Sequence, residues 1–265
     1  MHGQTQWVSM RTEVKHRREL QSGCFVIDQS GLAMTANGST RWAQVIGQHD
    51  ESCALSLFYL EASPGESKAI ELNNREAVLY LQDGRCTLSI CGRKFDVNAG
   101  SGVHVRAAEQ FSFINDSGVV SKWLISICPQ AAGLNFVDGS VARFNDQFPQ
   151  RSVPGAEQQL RASEDRFYKL LVGPAIGSEA VTQFIGRIPP SRAPEHFHLY
   201  EEAICILSGH GRVWTGDLYA KIRPGSMIFL PRKQPHCLEC LDEDGMELVG
   251  VFYPAGSPAI NYKTA

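Results

Sequence analysis

The sequence predicts an all-β protein built as two tandem copies of one sandwich or barrel. Two observations predict this fold class. Short apolar runs alternate with turn signals along the whole chain, and several pairs of similar segments recur at a constant offset. A third observation, a cluster of histidines and a glutamate in the second copy, indicates where the chemistry lies.

The internal repeat is visible in four pairs of segments. They are RWAQVIG with RFYKLLVG, REAVLYLQDG with EEAICILSG, NAGSGVHV with RPGSMIFL, and KWLISICP with ELVGVFYP. Each pair is separated by 125 or 126 residues. This offset predicts an N-terminal unit at 38–130 and a C-terminal unit at 161–265. A linker, 131–160, joins them, and an extension, 1–37, precedes them.

Within each copy, runs rich in Val, Ile, Leu, Phe and Thr are bounded by turns such as SGHG, IRPGS and QDG. Many short strands in one small unit favour a sandwich or barrel, because closure leaves few exposed edges. A weak helical period is present only at 155–171. Ala77–Leu81 and Ala203–Leu207 are apolar on both faces, so they require cover from the other barrel or from a second subunit.

Composition excludes several classes of protein. With 43% hydrophobic and 20% charged residues, the chain does not have the composition of a disordered protein. Its net charge of −3 shows no excess of basic residues of the kind that binds nucleic acid. No apolar run approaches the ~20 residues of a membrane span. Charges interrupt the first thirty residues, where a signal peptide needs an apolar core. We therefore expect a cytoplasmic protein whose eight cysteines are mostly reduced and buried.

The stretch PEHFHLYEEAICILSGHG, residues 194–211, carries the strongest chemical signal. His196, His198 and Glu202 have the same parity, so an extended strand would direct them to one face, although a turn after His198 would change the register. Two imidazoles and a carboxylate inside a barrel are costly unless something compensates them, and a divalent metal does so. His236, after a Pro-Gly turn in the same copy, is the fourth candidate ligand.

These residues resemble the two motifs of the cupin superfamily. The first motif is matched by His196-x-His198-x3-Glu202-x6-Gly209, and the second by Gly225-x5-Pro231-x4-His236. The chain departs from the motifs at Pro190 and Lys233, where the family has glycine, and at Cys240, where it has asparagine. The resemblance implies a bicupin, with two double-stranded β-helix (jelly-roll) barrels in one chain.

The same offset tests the N-terminal copy for a second metal site. It places Ile70, Leu72, Glu76 and Phe111 at the four ligand positions. Three of these side chains offer no metal-binding atom, and one glutamate alone cannot hold an ion. The N-terminal barrel is therefore predicted to be degenerate and metal-free, with the chemistry in the C-terminal barrel.

Three histidines and one glutamate leave open coordination positions on an octahedral ion. This donor set favours Fe(II), with Mn(II), Ni(II) or Zn(II) as alternatives. Glu202 is the predicted catalytic residue as well as a ligand. The predicted pocket residues share the ligands' parity: Ile204, Ile206, Leu238 and Cys240. This partly apolar wall suits a small organic substrate that chelates the metal.

Two branches of the superfamily resemble the chain in different ways. The architecture is similar to ureidoglycine aminohydrolase-like bicupins, whereas the histidine-rich donor set is more like that of cupin dioxygenases. We therefore predict a metal-dependent oxygenase of the dioxygenase type. The alternatives are a redox-neutral isomerase, lyase or amidohydrolase, and a non-catalytic ligand-binding protein. The doubly apolar strands also suggest a homodimer.

Overall fold

The computed structural model describes residues 17–50, 52, 54–139, 142–164 and 166–263 of the 265-residue chain. The predicted all-β fold is confirmed, because the regular structure of these residues consists of strands and 3₁₀ helices of three residues. The 3₁₀ helices are Gln21–Gly23, Gln29–Gly31, Gln48–Asp50, Gly155–Glu157 and Pro174–Ile176. In the described ranges, none of these helices is long and apolar enough to span a membrane.

The first fourteen strands run from the extension to the start of the linker. They are β1 (Arg17–Glu19), β2 (Phe25–Asp28), β3 (Thr35–Asn37), β4 (Thr40–Ile46), β5 (Ser56–Ala62), β6 (Gly65–Glu66), β7 (Ala69–Glu71), β8 (Glu76–Asp83), β9 (Arg85–Ile90), β10 (Arg93–Asn98), β11 (Ser101–Val105), β12 (Gln110–Asn115), β13 (Ser121–Cys128) and β14 (Asn135–Val137).

The remaining strands complete the linker and the second copy. They are β15 (Ser152–Pro154), β16 (Arg161–Ser163), β17 (Arg166–Val172), β18 (Thr182–Ile188), β19 (Glu201–Ser208), β20 (Gly211–Thr215), β21 (Leu218–Ile222), β22 (Ser226–Leu230), β23 (Cys237–Cys240) and β24 (Met246–Tyr253). The segment with the weak helical period, 155–171, therefore contains one short 3₁₀ helix followed by two strands. The second of these strands, β17, pairs with β18 in the large sheet.

Each copy forms one barrel from two sheets. The N-terminal barrel has one sheet in the order β15-β11-β8-β13-β5-β4-β3 and a second in the order β10-β9-β12-β7-β14, with β6 beside β12. The C-terminal barrel has a large sheet, β1-β2-β22-β19-β24-β18-β17-β16, and a small sheet, β21-β20-β23. The pairings between these strands are antiparallel. An apolar cluster fills each interior.

The extension and the linker each add a strand to a barrel sheet. Strand β2 of the extension pairs with β22 of the C-terminal barrel, with Ile27 opposite Met227. Strand β15 of the linker pairs in the same way with β11 of the N-terminal barrel, with Val153 opposite Gly102. The repeat of 125–126 residues therefore extends to these added strands. The predicted bounds assign β2 to the extension and β15 to the linker, so they do not include these added strands in either barrel. The bounds themselves stay a prediction.

A third apolar cluster lies between the two barrels. It contains Val78 and Tyr80 from β8 and Ala203 and Cys205 from β19, whereas their neighbours along each strand point into the barrel interiors. Both strands are therefore buried on both faces, as their sequences predict. The cover comes from the other barrel of the same chain, so these strands do not require a second subunit.

The strand register corrects one residue of the predicted repeat. Glu202 pairs with Leu230, and the equivalent pair in the N-terminal barrel is Ala77 with Val105. The prediction that Glu76 occupies the Glu202 position is therefore wrong, and Ala77 occupies it. The cause is one extra residue in the N-terminal turn before β8, which a constant offset cannot show.

Glu76 is instead the equivalent of Glu201, and the two glutamates connect the barrels. Oε2 of Glu201 accepts hydrogen bonds from Oγ of Ser52 (2.8 Å) and from the backbone N–H groups of Leu55 (3.1 Å) and Ala54 (3.2 Å). Glu76 accepts a hydrogen bond from Oγ of Ser178 (3.3 Å) in the C-terminal half. Each barrel therefore extends one buried or half-buried carboxylate into the loop of the other.

The described cysteines are all free thiols, in agreement with the predicted reduced state. Cys53 lies outside the described residues, as does the basic start of the extension up to residue 16.

We expect the substitution Glu201→Ala to lower the free energy of unfolding by about 2–4 kcal/mol, because it leaves buried backbone donors without their acceptor. Glu243→Ala, at an exposed turn position, is the matched control and should change stability by less than about 0.5 kcal/mol. Chemical denaturation monitored by tryptophan fluorescence measures both variants. Equal stability of the two variants would show that the inter-barrel carboxylate contributes nothing.

Candidate metal centre

The centre begins with a short antiparallel pairing between the segments that precede β19 and β23. His196 and His236 are opposite each other, and each backbone N–H donates to the carbonyl of the other residue, at 3.0 and 2.8 Å. Directly opposite side chains in an antiparallel pair lie on the same face. The two imidazole centroids are accordingly 4.6 Å apart. The backbone itself thus brings two of the predicted ligands together.

Glu202 enters the centre from the second position of β19. Because side chains alternate along a strand, Glu201 points toward the other barrel and Glu202 points into the C-terminal barrel. Its backbone lies between Leu230 on one side and Phe252 on the other. The carboxylate is buried in an interior that is otherwise mostly apolar.

His198 lies in the loop that joins the segment of His196 to β19. The chain bends at Leu199 and Tyr200, so β19 begins only at Glu201 and the predicted ligands do not share one strand. The carbonyl of His198 accepts a hydrogen bond from the N–H of Lys233 at 2.7 Å. Lys233 has a φ of +62°, a left-handed conformation that glycine adopts freely and that costs a lysine about 1–2 kcal/mol.

The three predicted histidine ligands converge, and Glu202 lies beside two of them. One ring nitrogen from each of His196, His198 and His236 lies within 4.8 Å of the others. Oε2 of Glu202 lies 3.5 Å from Nε2 of His198 and 3.9 Å from Nε2 of His236. Donors that bind one ion at about 2.0–2.2 Å are roughly 3–4 Å apart, so the carboxylate distances fit a shared ion.

Two of the histidines have a fixed tautomer. Nδ1 of His196 lies 3.1 Å from the carbonyl of Pro194, and Nδ1 of His236 lies 2.9 Å from the carbonyl of Gln234. A carbonyl only accepts, so the proton is on Nδ1 and the lone pair is on Nε2. This carbonyl–histidine arrangement is the usual one around bound metals.

Burial sets the charge of the centre. It lowers the pKa of His236 well below its usual value, and burial together with the charge of His196 lowers the pKa of His198 to about 3. Burial raises the pKa of Glu202 to about 8. The imidazoles are therefore neutral donors at pH 7, and the carboxylate lacks a compensating cation. A divalent metal fits this set, because it would stabilise the charged form of Glu202 and accept three nitrogen lone pairs.

The equivalent positions of the N-terminal barrel have no donor atoms. Ile70 and Phe111 face each other as His196 and His236 do, and Leu72 and Ala77 take the places of His198 and Glu202. All four side chains are fully buried in the apolar interior.

A cavity of about 80 Å³ opens beside the four predicted ligands. Its wall is mainly apolar, and the aliphatic, aromatic and proline residues that line it are Phe167, Tyr168, Phe184, Ile188, Ile204, Leu238, Leu248, Phe252 and Pro258. The polar part of the wall comes from Ser163, Arg166, Arg187 and Asn261. Since one water needs about 10–15 Å³, the cavity has room for a small organic molecule.

Two of the four predicted pocket residues, Ile204 and Leu238, lie on this wall. Ile206 and Cys240 have the same parity but lie in the packed interior beyond the cavity, because parity determines the face of a strand and not the depth along it. Phe184 and Phe252 were not among the predicted pocket residues, although the alternation of β18 and β24 directs both side chains inward. Asn261 was not predicted either, because no sequence pattern marks it.

Comparison with known proteins agrees with this geometry. Residues 184–252 match the family model described as a cupin domain. No curated protein matches the sequence significantly.

Solved structures of oxalate decarboxylases have a similar fold. A Bacillus subtilis oxalate decarboxylase mutant superposes with a TM-score of 0.68 at 14% identity, over 86% of this chain and 76% of that chain. A formate complex of Lactobacillus farciminis oxalate decarboxylase gives a TM-score of 0.69 at 13% identity, over 88% and 87%. At these identities the likeness concerns the fold.

The fold and the site define a two-barrel β protein with a histidine-rich centre in its second barrel. Residues 184–252 form a cupin domain, and the chain as a whole has the bicupin fold.

We expect about one divalent ion per chain, because within the described residues only the C-terminal barrel offers the donor set. Elemental analysis after gel filtration measures this ratio. His236→Ala should lose most of the metal, whereas His210→Ala, at an exposed turn, should retain it. Phe111→His should not add an ion, since Ile70, Leu72 and Ala77 remain without donors. Two tightly bound ions per wild-type chain would contradict the assignment.

We expect the stability of the metal-free protein to respond to Glu202→Gln in a pH-dependent way. Because the pKa of Glu202 is raised from 4.5 to about 8, the unfolded chain ionises first, and the wild type loses stability as pH rises through this range. The neutral glutamine avoids this cost. The Tm of the variant minus that of the wild type should therefore increase from pH 5 to pH 8, by at least about 2 °C.

Differential scanning calorimetry with a chelator present measures this difference. Ionisable groups far from Glu202 contribute equally to both proteins, so the difference reports on Glu202 and the histidines beside it. Glu243→Gln is the exposed control and should show no trend. A difference for Glu202→Gln that stays constant with pH would mean that burial does not perturb this carboxyl.

Proposed function

We propose that the protein is a metal-dependent oxygenase of the dioxygenase type that acts on a small organic substrate in the C-terminal barrel. The observation that carries the proposal is the convergence of three neutral imidazoles and one buried carboxylate at the wall of a mainly apolar cavity. When bound there, a divalent metal supplies a Lewis acid and, as Fe(II), an electron donor to dioxygen.

The chain's own residues would bind the ion and pack against the substrate. His196, His198 and His236 hold the ion with neutral donors, and Glu202 supplies one negative charge, so a divalent ion keeps a net charge of about +1. A substrate with an anionic oxygen or nitrogen donor would neutralise this charge. The apolar side chains Phe184, Leu248 and Phe252 would pack on the substrate body and exclude water from it.

The preferred metal in this proposal is Fe(II). Bacillus subtilis oxalate decarboxylase, whose fold is similar, has Mn(II) centres, and this makes Mn(II) the first alternative. Both ions accept imidazole and carboxylate donors, so the donor set by itself does not separate them.

A redox-neutral lyase is the second candidate, and the decarboxylases of similar fold favour it. The cavity wall argues against oxalate itself as the substrate. Oxalate is a dianion without an apolar body, whereas most of this cavity wall is apolar and only Arg166 and Arg187 are cationic. If the protein is a lyase, its substrate is a larger acid. A ligand-binding protein without turnover is the third candidate.

Two other predictions from the sequence remain proposals. The main reason to expect a homodimer no longer holds, because the doubly apolar strands are covered within the chain. Light scattering of the purified protein would decide it. The cytoplasmic location stays a prediction from the sequence.

Oxygen uptake tests the first candidate. Protein loaded anaerobically with Fe(II) or Mn(II) is mixed with a panel of small organic acids and phenols, and dioxygen and substrate are followed together. We expect equal loss of dioxygen and substrate, no turnover without air, and at least a hundredfold lower rate for Glu202→Gln, which removes the ligand charge. Equal rates with and without dioxygen would reject the oxygenase and favour the lyase.

A further inference from the structure

His198 differs from the other two histidines in how its ring is held. Nδ1 of His196 and of His236 each has a carbonyl partner two residues earlier in the chain. Nδ1 of His198 has no such local partner. It is buried without a hydrogen-bond partner among the described residues. The orientation of the third imidazole therefore depends on other contacts, which lead through Tyr200 to a segment distant in sequence.

That segment is the C-terminal strap, which we define as residues 256–263. It crosses the rim of the cavity and contributes Pro258 and Asn261 to the wall. At its far end Tyr262 pairs with Phe197, the residue between His196 and His198. The two backbones exchange hydrogen bonds of 2.9 and 3.2 Å, and the two rings stack at 5.6 Å.

Tyr200 holds the near end of the strap. Its hydroxyl donates to the carbonyl of Ser257 at 3.1 Å. Its ring stacks on the imidazole of His198, with centroids 4.9 Å apart and planes 13° from parallel, and it packs on Phe252 at 4.2 Å. The side chain is buried, so this arrangement is shielded from solvent. Tyr200 therefore touches a predicted metal ligand through its ring and the strap through its hydroxyl.

We propose that the C-terminal strap and Tyr200 are positioning elements of the metal centre: they orient His198, as local carbonyls orient the other two histidines. The inference rests on the proposed metal site but not on the proposed oxygenase chemistry. The strap acts through Tyr200, because the Tyr200 hydroxyl donates to Ser257 of the strap while the Tyr200 ring stacks on His198. The strap also pairs with Phe197, the residue before His198, and so holds the backbone that carries this imidazole.

The two contacts of Tyr200 can be separated by substitution. Tyr200→Phe keeps the ring on His198 and removes the hydrogen bond to Ser257. Tyr200→Leu removes both contacts. Tyr262→Ala weakens the strap at its other end without touching His198. Tyr219→Phe removes an exposed hydroxyl on the outer small sheet and is the matched control.

Co(II) loading of the full-length variants tests the proposal without any substrate. Titration against a competing chelator gives the affinity, and the visible absorption of Co(II) reports the ligand geometry. We expect Tyr200→Phe and Tyr262→Ala to bind Co(II) about 10-fold more weakly, and Tyr200→Leu up to about 100-fold more weakly, because partners of this kind contribute that much to metal affinity. The Co(II) spectrum should change most for Tyr200→Leu, and Tyr219→Phe should match the wild type.

The spectrum separates positioning from general destabilisation. A purely structural role of Tyr200 would lower the melting temperature of the variants and leave the Co(II) affinity and spectrum of the folded protein unchanged, and that result would overturn the proposal. Wild-type protein that binds no Co(II) would overturn both this inference and the metal site. Weaker Co(II) binding by Tyr200→Phe, in a protein that consumes no dioxygen, would leave this inference standing and reject only the oxygenase.

Discussion

Strand β19 is buried on both faces, and this double burial connects the fold of the chain to its candidate chemistry. One face carries Ala203 and Cys205 into the core between the barrels, and the other carries Ile204 into the C-terminal interior. Because side chains alternate along a strand, the adjacent residues Glu201 and Glu202 must point in opposite directions. One accepts hydrogen bonds from the loop of the N-terminal barrel, and the other enters the candidate metal centre.

The two copies show how one architecture can keep an interface and lose a site. Glu76 and Glu201 preserve the reciprocal inter-barrel contacts, and β15 and β2 preserve the exchanged strands. In the N-terminal interior, however, every position equivalent to a predicted ligand is apolar. Filling those positions removes the cost of burying polar groups without an ion. The N-terminal barrel then serves as the packing partner of β19.

Features set by local pattern could be predicted from the sequence. The alternation of short apolar runs with turns predicts the strands, the constant offset predicts the repeat, and the spacing of His196, His198, Glu202 and His236 predicts the cluster. The double burial of Ala77–Leu81 and Ala203–Leu207 also follows from composition alone.

Features that depend on three-dimensional context could not be predicted. One extra residue in a turn places Ala77 rather than Glu76 opposite Val105, and an offset averaged over the copy does not detect it. The parity of Ile206 predicted that its side chain points into the barrel, but not that it lies beyond the cavity. The strap carries no apolar period, because a few local contacts hold it, namely the hydrogen bond from Tyr200 and the backbone pairing and ring stack with Phe197.

The most direct test of the metal centre is anomalous diffraction from crystals of the metal-loaded protein, measured on both sides of the absorption edge of the ion. Our prediction is a single strong peak per chain, among the ring nitrogens of His196, His198 and His236 and the carboxylate of Glu202, with no peak inside the N-terminal barrel. A peak at any other group of side chains, or loaded crystals without a peak at these four residues, would contradict it.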